Sequence, residues 1–214
     1  MFDVFDVEAF RPLTERSAVV AEVDRPTLVL GSTQAQSVVE GDRADAAGVE
    51  IVRRRSGGGA VLLQPGDHIW VNVWVPRSDP LWSPEVTESA LWVGEWWRAA
   101  LDLEGCEVHS GRAVPGPVGA LVCFAGRGPG EVFRSGRKIM GLSQWRSREG
   151  SLFMACTYRH WDPAVLVDLL KLSEAERAEV SEAAVGLGDL EPPAAPRLAE
   201  LLLSSLPEYP LPPT

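Results

Sequence analysis

Arg53-Arg54-Arg55-Ser56-Gly57-Gly58-Gly59-Ala60-Val61 and, about 80 residues further on, Gly136-Arg137-Lys138-Ile139-Met140-Gly141-Leu142-Ser143-Gln144 are the stretches whose reading decides this chain. In the first, three glycines follow a basic run. Such a backbone can turn through positive φ and present bare N–H groups to an anion or a carbonyl, an approach that side chains would block. The second places a lysine two residues after one glycine and three before another, in a short turn that enters an apolar strand. Lysine is scarce: Lys138 and Lys171 are the only two among 20 Lys and Arg residues, so ordinary charge is supplied by arginine. A compact ammonium on a flexible stem at 138 therefore points to a carbonyl or phosphate oxygen as its target. Together the two segments nominate one active site.

The flanks of the glycine run alternate strand-like and helix-like stretches. Residues 27–31 form a short apolar strand, 41–48 a helix end and turn, and 49–52 a strand leading into the loop. The β-branched and aromatic runs 60–63 and 68–75, separated by Gln64-Pro65-Gly66-Asp67, predict a β-hairpin with the glycine loop at its base. Ser83-Pro84-Glu85 opens a helix whose buried face is Val86, Ala90, Val93, Trp97, Ala100 and Leu101. Trp92, Trp96 and Trp97 read as core rather than as a cofactor cage. A Pro/Gly-rich stretch, 114–119, precedes an expected strand at 120–124. Residues 132–134 pair with 139–145 across Ser135-Gly136, and a further strand covers 152–158. Helices are expected at 164–172, 174–184 and 196–206, with Pro192-Pro193 as a linker and 207–214 as a loose tail. The expected fold class is α/β (α+β), a mixed, largely antiparallel sheet flanked by helices. A catalytic domain would span 1–190, and a C-terminal helix with a Pro-rich tail 191–214.

Composition narrows the function classes. A chain of 214 residues suits one domain, or a domain with a small appendage. Hydrophobic content of 45% with 23% charged residues is that of a globular protein. No apolar run reaches membrane-span length, and Met1-Phe2-Asp3 begins without a basic and then apolar leader, so a cytoplasmic location is expected. Cys106, Cys123 and Cys156 show no CxxC spacing and are odd in number, which implies neither a metal site nor a disulfide framework. A net charge of −10 argues against sequence-independent nucleic-acid binding. An acidic partner would need a local basic patch, for which Arg53 to Arg55 and the Arg146/Arg148 pair are the candidates.

The run at 53–61 and the Gly-x-Lys-x-x-Gly at 136–141 resemble, in order and separation, the catalytic domain shared by lipoate protein ligases, octanoyltransferases and, more distantly, biotin protein ligases. Pro26-Thr27-Leu28-Val29-Leu30-Gly31-Ser32-Thr33-Gln34 is similar to the strand and turn upstream of that family's glycine loop. The resemblance covers roughly residues 25 to 170. It implies a medium-chain acyl group held in an apolar tunnel and passed to a lysine of a lipoyl domain. It places Arg54, Ser56, Gly57, Gly58, Gly59, Ala60 and Val61, with Glu131, Gly141 and Ser143, at the acyl or nucleotide site, and Lys138 on the reacting carbonyl oxygen. Acyl transfer develops negative charge on that oxygen, which preorganised N–H groups and an ammonium stabilise in a water-poor site. Substrates would be lipoate or octanoate, with no covalently bound cofactor. The donor would be an acyl carrier protein or, in a ligase, the free acid with ATP and magnesium.

Two chemistries share the family: an acyl-adenylate made from ATP, and a thioester on a cysteine. The segment from Cys123-Phe124 through Pro129-Gly130-Glu131-Val132 to Lys138 is similar to the lysine-motif region of the cysteine-dependent transferases. A thiol beside an ammonium and glycine-rich N–H groups is biased toward thiolate. Cys106 and Cys156 read as structural. Several family residues are replaced: Leu63-Gln64-Pro65-Gly66-Asp67 stands for His-Asp-x-Gly-Asn, and Met154-Ala155 for His-Gly. Ser151 occupies the cysteine position of another octanoyltransferase branch, which excludes that mechanism. Those losses leave a catalytically weak acyl-binding or carrier-interaction protein as the alternative; a biotin ligase fits the loop's flanks less well. Lys138, Cys123 and the 57–59 loop are expected to converge on one apolar-walled pocket. Lys138→Ala is expected to abolish transfer while leaving the fold intact.

Overall fold

The computed structural model describes residues 7–190 and 197–208. Met1 to Asp3, Pro192-Pro193 and the tail beyond 208 lie outside the described residues. Strands β1 (Ser17–Ala21), β5 (His68–Pro76), β6 (Cys106–Val108), β7 (Val132–Arg134), β8 (Arg137–Arg146) and β9 (Gly150–Tyr158) make a six-stranded antiparallel sheet in the order β1-β5-β9-β8-β7-β6. A second sheet, β3-β2-β4, joins β2 (Thr27–Leu30) to β3 (Glu50–Arg53) in parallel and to β4 (Val61–Leu63) antiparallel. The mixed α+β expectation therefore holds.

The pleat of β5 shows why these sheets stack. Ile69, Val71, Val73 and Val75 face α2 (Val86–Leu101) and α5 (Leu198–Ser204), while Trp70 and Trp74 join Val29, Val61 and Leu63 between the sheets. A strand apolar on both faces needs a layer on each side, because successive side chains point to opposite faces. The far face of the small sheet, Leu28, Leu30 and Leu62, packs with residues of α1 (Gly41–Ala46), α3 (Ala164–Leu169) and α4 (Glu174–Ala183). Among the described residues no helix is long and apolar enough to cross a membrane.

Three local expectations are corrected. The 60–63 and 68–75 runs do not form a hairpin: β4 pairs with β2 in the small sheet, while β5 pairs with β1 and β9 in the large one. The Gln64–Asp67 turn carries the chain from one layer to the next. Residues 120–124 are not a strand but consecutive turns, with Leu121 and Val122 N–H groups both donating to Val118 O and a 3-10 turn at Cys123–Ala125. One parallel bridge, Ala60 to Val122, is what they contribute to the sheets. Val86 is 53% exposed rather than part of the buried face of α2. The tryptophans behave as expected: Trp92, Trp96 and Trp97 are buried, and Trp92 meets Phe153 edge-on at 5.3 Å.

The hairpin that carries the lysine forms as the sequence implies. Arg134 pairs with Arg137 across Ser135 (φ 51°) and Gly136 (φ 78°), two left-handed residues that make the tight turn favoured by strand twist. Phe133 pairs with Lys138, so the lysine stands on β8, beside a register shift between Val132 and Phe133, rather than in the turn.

Candidate active site

The glycine loop connects β3 to β4 and is braced from inside. Arg54 is 2% exposed, and its guanidinium donates to Gly57 O at 2.8 Å, Gly59 O at 2.9 Å and Val29 O at 3.4 Å. Burial pushes this guanidinium below its ordinary pKa, opposed by the Cys123 thiol within hydrogen-bonding reach. Arg53 donates to Gly31 O at 2.8 Å and Gln34 O at 2.6 Å. Arg55 is exposed and meets Glu8 at 3.3 Å. The basic run is therefore largely a scaffold for loop carbonyls and not an anion patch. Arg146, from the other candidate patch, lies over the Trp82 ring and donates to Ser83 O.

The loop is tied to the cysteine segment by backbone bonds. Ala60 N–H donates to Leu121 O at 2.7 Å, and Cys123 N–H donates back to Ala60 O at 3.0 Å. Gly58 adopts φ 99°, and a Cβ placed on it would lie 3.8 Å from Cys123 Sγ. Ser56 Oγ donates to Ser143 Oγ on β8 at 3.0 Å, closing the arrangement from a third side.

Lys138 is 1% exposed. Its ammonium donates to Cys123 O at 2.7 Å and to the Glu131 carboxylate at 2.8 Å, with the rings of Phe124 and Phe133 at 5.6 and 5.7 Å. Glu131, also buried, accepts from Gly128 N and, at 3.3 Å, from Leu142 N. Burial raises the Glu131 carboxyl above its ordinary pKa even though Lys138 and the two backbone amides pull it down. This geometry corrects the expectation that Lys138 could be lost without cost to the fold. Removing one partner leaves a desolvated charge, which the fold tolerates poorly.

These groups meet at one cleft of about 440 Å³, walled by Gly57 to Gly59, Cys123, Glu131, Lys138 and Ser143, with apolar surface from Val86, Ala90 and Leu142. The convergence of Lys138, Cys123 and the loop is as expected from sequence. Arg54, Val61 and Gly141 line instead a space of about 10 Å³ on the inner side of Cys123, with Trp70, Met154 and Cys156. Ala60 supports Cys123 through its carbonyl. Met154, at a replaced family position, is 2% exposed and pairs with Ser143. Ser151 pairs with Val75 and Arg146. Sequence reasoning missed the wall supplied by α2, and Gln144, whose Nε2 donates to Ser89 Oγ at 2.8 Å. Val86 and Ala90 share a helix face at i, i+4 spacing, the only signal that could have joined them.

The sequence pattern of the lipoyl protein ligase A/B catalytic domain matches residues 9–189. The chain belongs to that family. It is thus a member of a family of lipoate-attachment ligases and acyltransferases, and its fold agrees with solved members. A lipoate-protein ligase A bound with ATP superposes with TM-score 0.74 at 18% identity, over 94% of this chain and 76% of that one. A bipartite lipoate protein ligase from Thermoplasma acidophilum, solved in a study that includes its E2 lipoyl domain, gives TM-score 0.70 at 19% identity, over 94% and 74%. A putative lipoate protein ligase from the same organism with bound lipoic acid gives 0.62 at 17%, over 94% and 87%. No curated protein matches the chain in sequence.

Proposed function

We propose that this lipoyl-ligase-family protein acylates lysines of lipoyl-type domains through a thioester on Cys123. The observation that carries the reading is the placement of Cys123. Its N–H is held by Ala60 O and its carbonyl by Lys138, while its half-buried side chain lines the cleft beside Gly58. The thiol is left as the group that can react.

In this reading Cys123 Sγ attacks the carbonyl carbon of an acyl thioester, supplied by an acyl carrier protein in the cytoplasm. The oxygen that gains charge faces N–H groups of the 57–59 loop and Lys138, whose ammonium has three hydrogens and donates two of them, to Cys123 O and Glu131. The donor C–S bond breaks, and the donor leaves as a thiol with the proton that Cys123 gives up. The ε-amine of the acceptor lysine then attacks the Cys123 acyl group, forming an amide and returning the thiol. Glu131 fixes the ammonium, and Arg54 fixes the loop and adjoins the sulfur. Ser56, Ser143 and Gly141 complete the wall. The acyl group would be octanoyl or lipoyl.

The adenylate route is the second reading, favoured by the ATP-bound relative. Against it, Arg127, the other cation on the cleft wall, is already engaged, over the Phe133 ring at 4.4 Å and with Gly136 O at 3.2 Å. Intact mass after incubation with octanoyl-carrier protein tests the proposal. Wild type is expected to gain one hydroxylamine-labile octanoyl group and Cys123→Ser none. An adduct that persists in Cys123→Ser, or no adduct together with ATP-dependent domain acylation, would reject it. Silence with both donors would favour the binding-protein alternative.

A further inference from the structure

The sulfur of Cys123 borders two spaces of very different size. The inner one, enclosed by Val61, Trp70, Met154 and Cys156, is about 10 Å³. A single water needs about 10–15 Å³, so no methylene chain fits there. The outer cleft is about 440 Å³, within the range of about 300–1,000 Å³ typical of small-molecule pockets. Its lining includes apolar surface from Val86 and Ala90, one turn apart on α2, and from Leu142 on β8, which borders both spaces. Val86 is 53% exposed, and Val114, flanked by the cleft-lining Ala113 and Pro115, is 54% exposed. Among the described residues these are the two most exposed large hydrophobic side chains, and Val86 lines this cleft.

We infer that the acyl chain carried by Cys123 lies outward in this cleft, over Leu142, Ala90 and Val86, so that the first turn of α2 sets chain-length preference. The inner space behind Trp70 and Met154 stays closed. The inference takes the sulfur as the anchor point from the thioester reading and adds where the tail goes. Each methylene moved from water onto this wall adds about fourfold in affinity. Because Val86 stands at an open mouth, affinity rises with chain length and then levels off as the tail reaches solvent, without a sharp cut-off.

Calorimetric titration of butyrate, hexanoate, octanoate and decanoate into Cys123→Ser protein tests this without any thioester. The thioester proposal and this one therefore fail separately. The expected series climbs about fourfold per methylene and flattens by decanoate. Val86→Asp puts an acid in the first turn of α2, where the helix dipole favours it, so the fold is retained. There the climb is expected to shrink to less than twofold per methylene, with butyrate unchanged. Met154→Val, which enlarges the inner space, is expected to leave the series as it was. An unchanged climb in Val86→Asp, a gain for long chains in Met154→Val, or no binding of any acid would overturn the inference.

Discussion

Lys138→Ala is expected to abolish acyl transfer and also to lower the unfolding free energy by about 3–5 kcal/mol, the usual cost of breaking a buried ion pair by removing one partner. The side chains of Lys138 and Glu131 are 1% and 4% exposed, so water cannot replace the lost ammonium. Packing alone does not explain such a loss, because Lys138→Met, which keeps the stem, should be nearly as unstable. Adding Glu131→Gln to Lys138→Met removes the stranded charge and should recover much of the stability with none of the activity. Denaturant unfolding of the four proteins checks this, and full recovery of transfer in the double variant would contradict the role of the ammonium.

The pH dependence of the lysine variant has a definite sign. Burial already raises the Glu131 carboxyl, and the largest opposing influence is Lys138. Without the lysine the folded-state pKa lies further above the unfolded value of about 4.3. A raised carboxyl contributes stability that is fully present below the unfolded pKa and is lost as pH rises through the folded one. Lys138→Ala should therefore lose more stability than wild type as pH rises above the unfolded-state value toward and through the raised folded one. A parallel decline in the two proteins would count against a stranded carboxylate.

The second large effect separates two neighbouring glycines. A Cβ on Gly59 would lie 2.6 Å from both Cys123 N and Val122 C and 2.8 Å from Gly119 O. All three are backbone atoms with no rotamer to move. Gly59→Ala should force apart the Ala60 and Cys123 backbones, lowering stability by about 3 kcal/mol, the upper part of the overpacking range, and displacing the thiol. At Gly57 a Cβ would meet nothing within 4 Å. Gly57→Ala should change stability by less than about 0.5 kcal/mol. Gly57 also lines the cleft, so the rate of Cys123 acylation is expected to fall. Thermal unfolding paired with acylation rates distinguishes the two; equal stability losses would show that the loop is not gripped at Gly59.

Local chemistry made part of this molecule legible in advance. The three consecutive glycines and the scarce lysine stand out against ordinary composition, Cys123 stands out only through the resemblance of its segment to the cysteine-dependent transferases, and Ser135-Gly136 is a recognisable hairpin turn. Ser173 and Glu176 form the capping box that starts α4, a four-residue signal that the reading of a helix at 174–184 did not use. Partner choice was less accessible. The run at 68–75 is apolar on both faces, which demands two layers without saying which strands supply them. Val118, Leu121 and Val122 look strand-like in composition, yet Pro115, Pro117 and Gly119 around them favour turns. The burial of Lys138 depends on the approach of Glu131 from the preceding strand side of the hairpin, and no property of either residue alone announces it.

The most direct test of the account is a single-turnover transfer. Octanoyl-enzyme is prepared from octanoyl-carrier protein, freed of donor, and mixed with a lipoyl domain in the absence of nucleotide while both masses are followed. The domain is expected to gain the octanoyl group as the enzyme loses it, with neither change in Cys123→Ser. An acyl-enzyme that stays inert, with the domain modified only when octanoate and ATP are added, would contradict it.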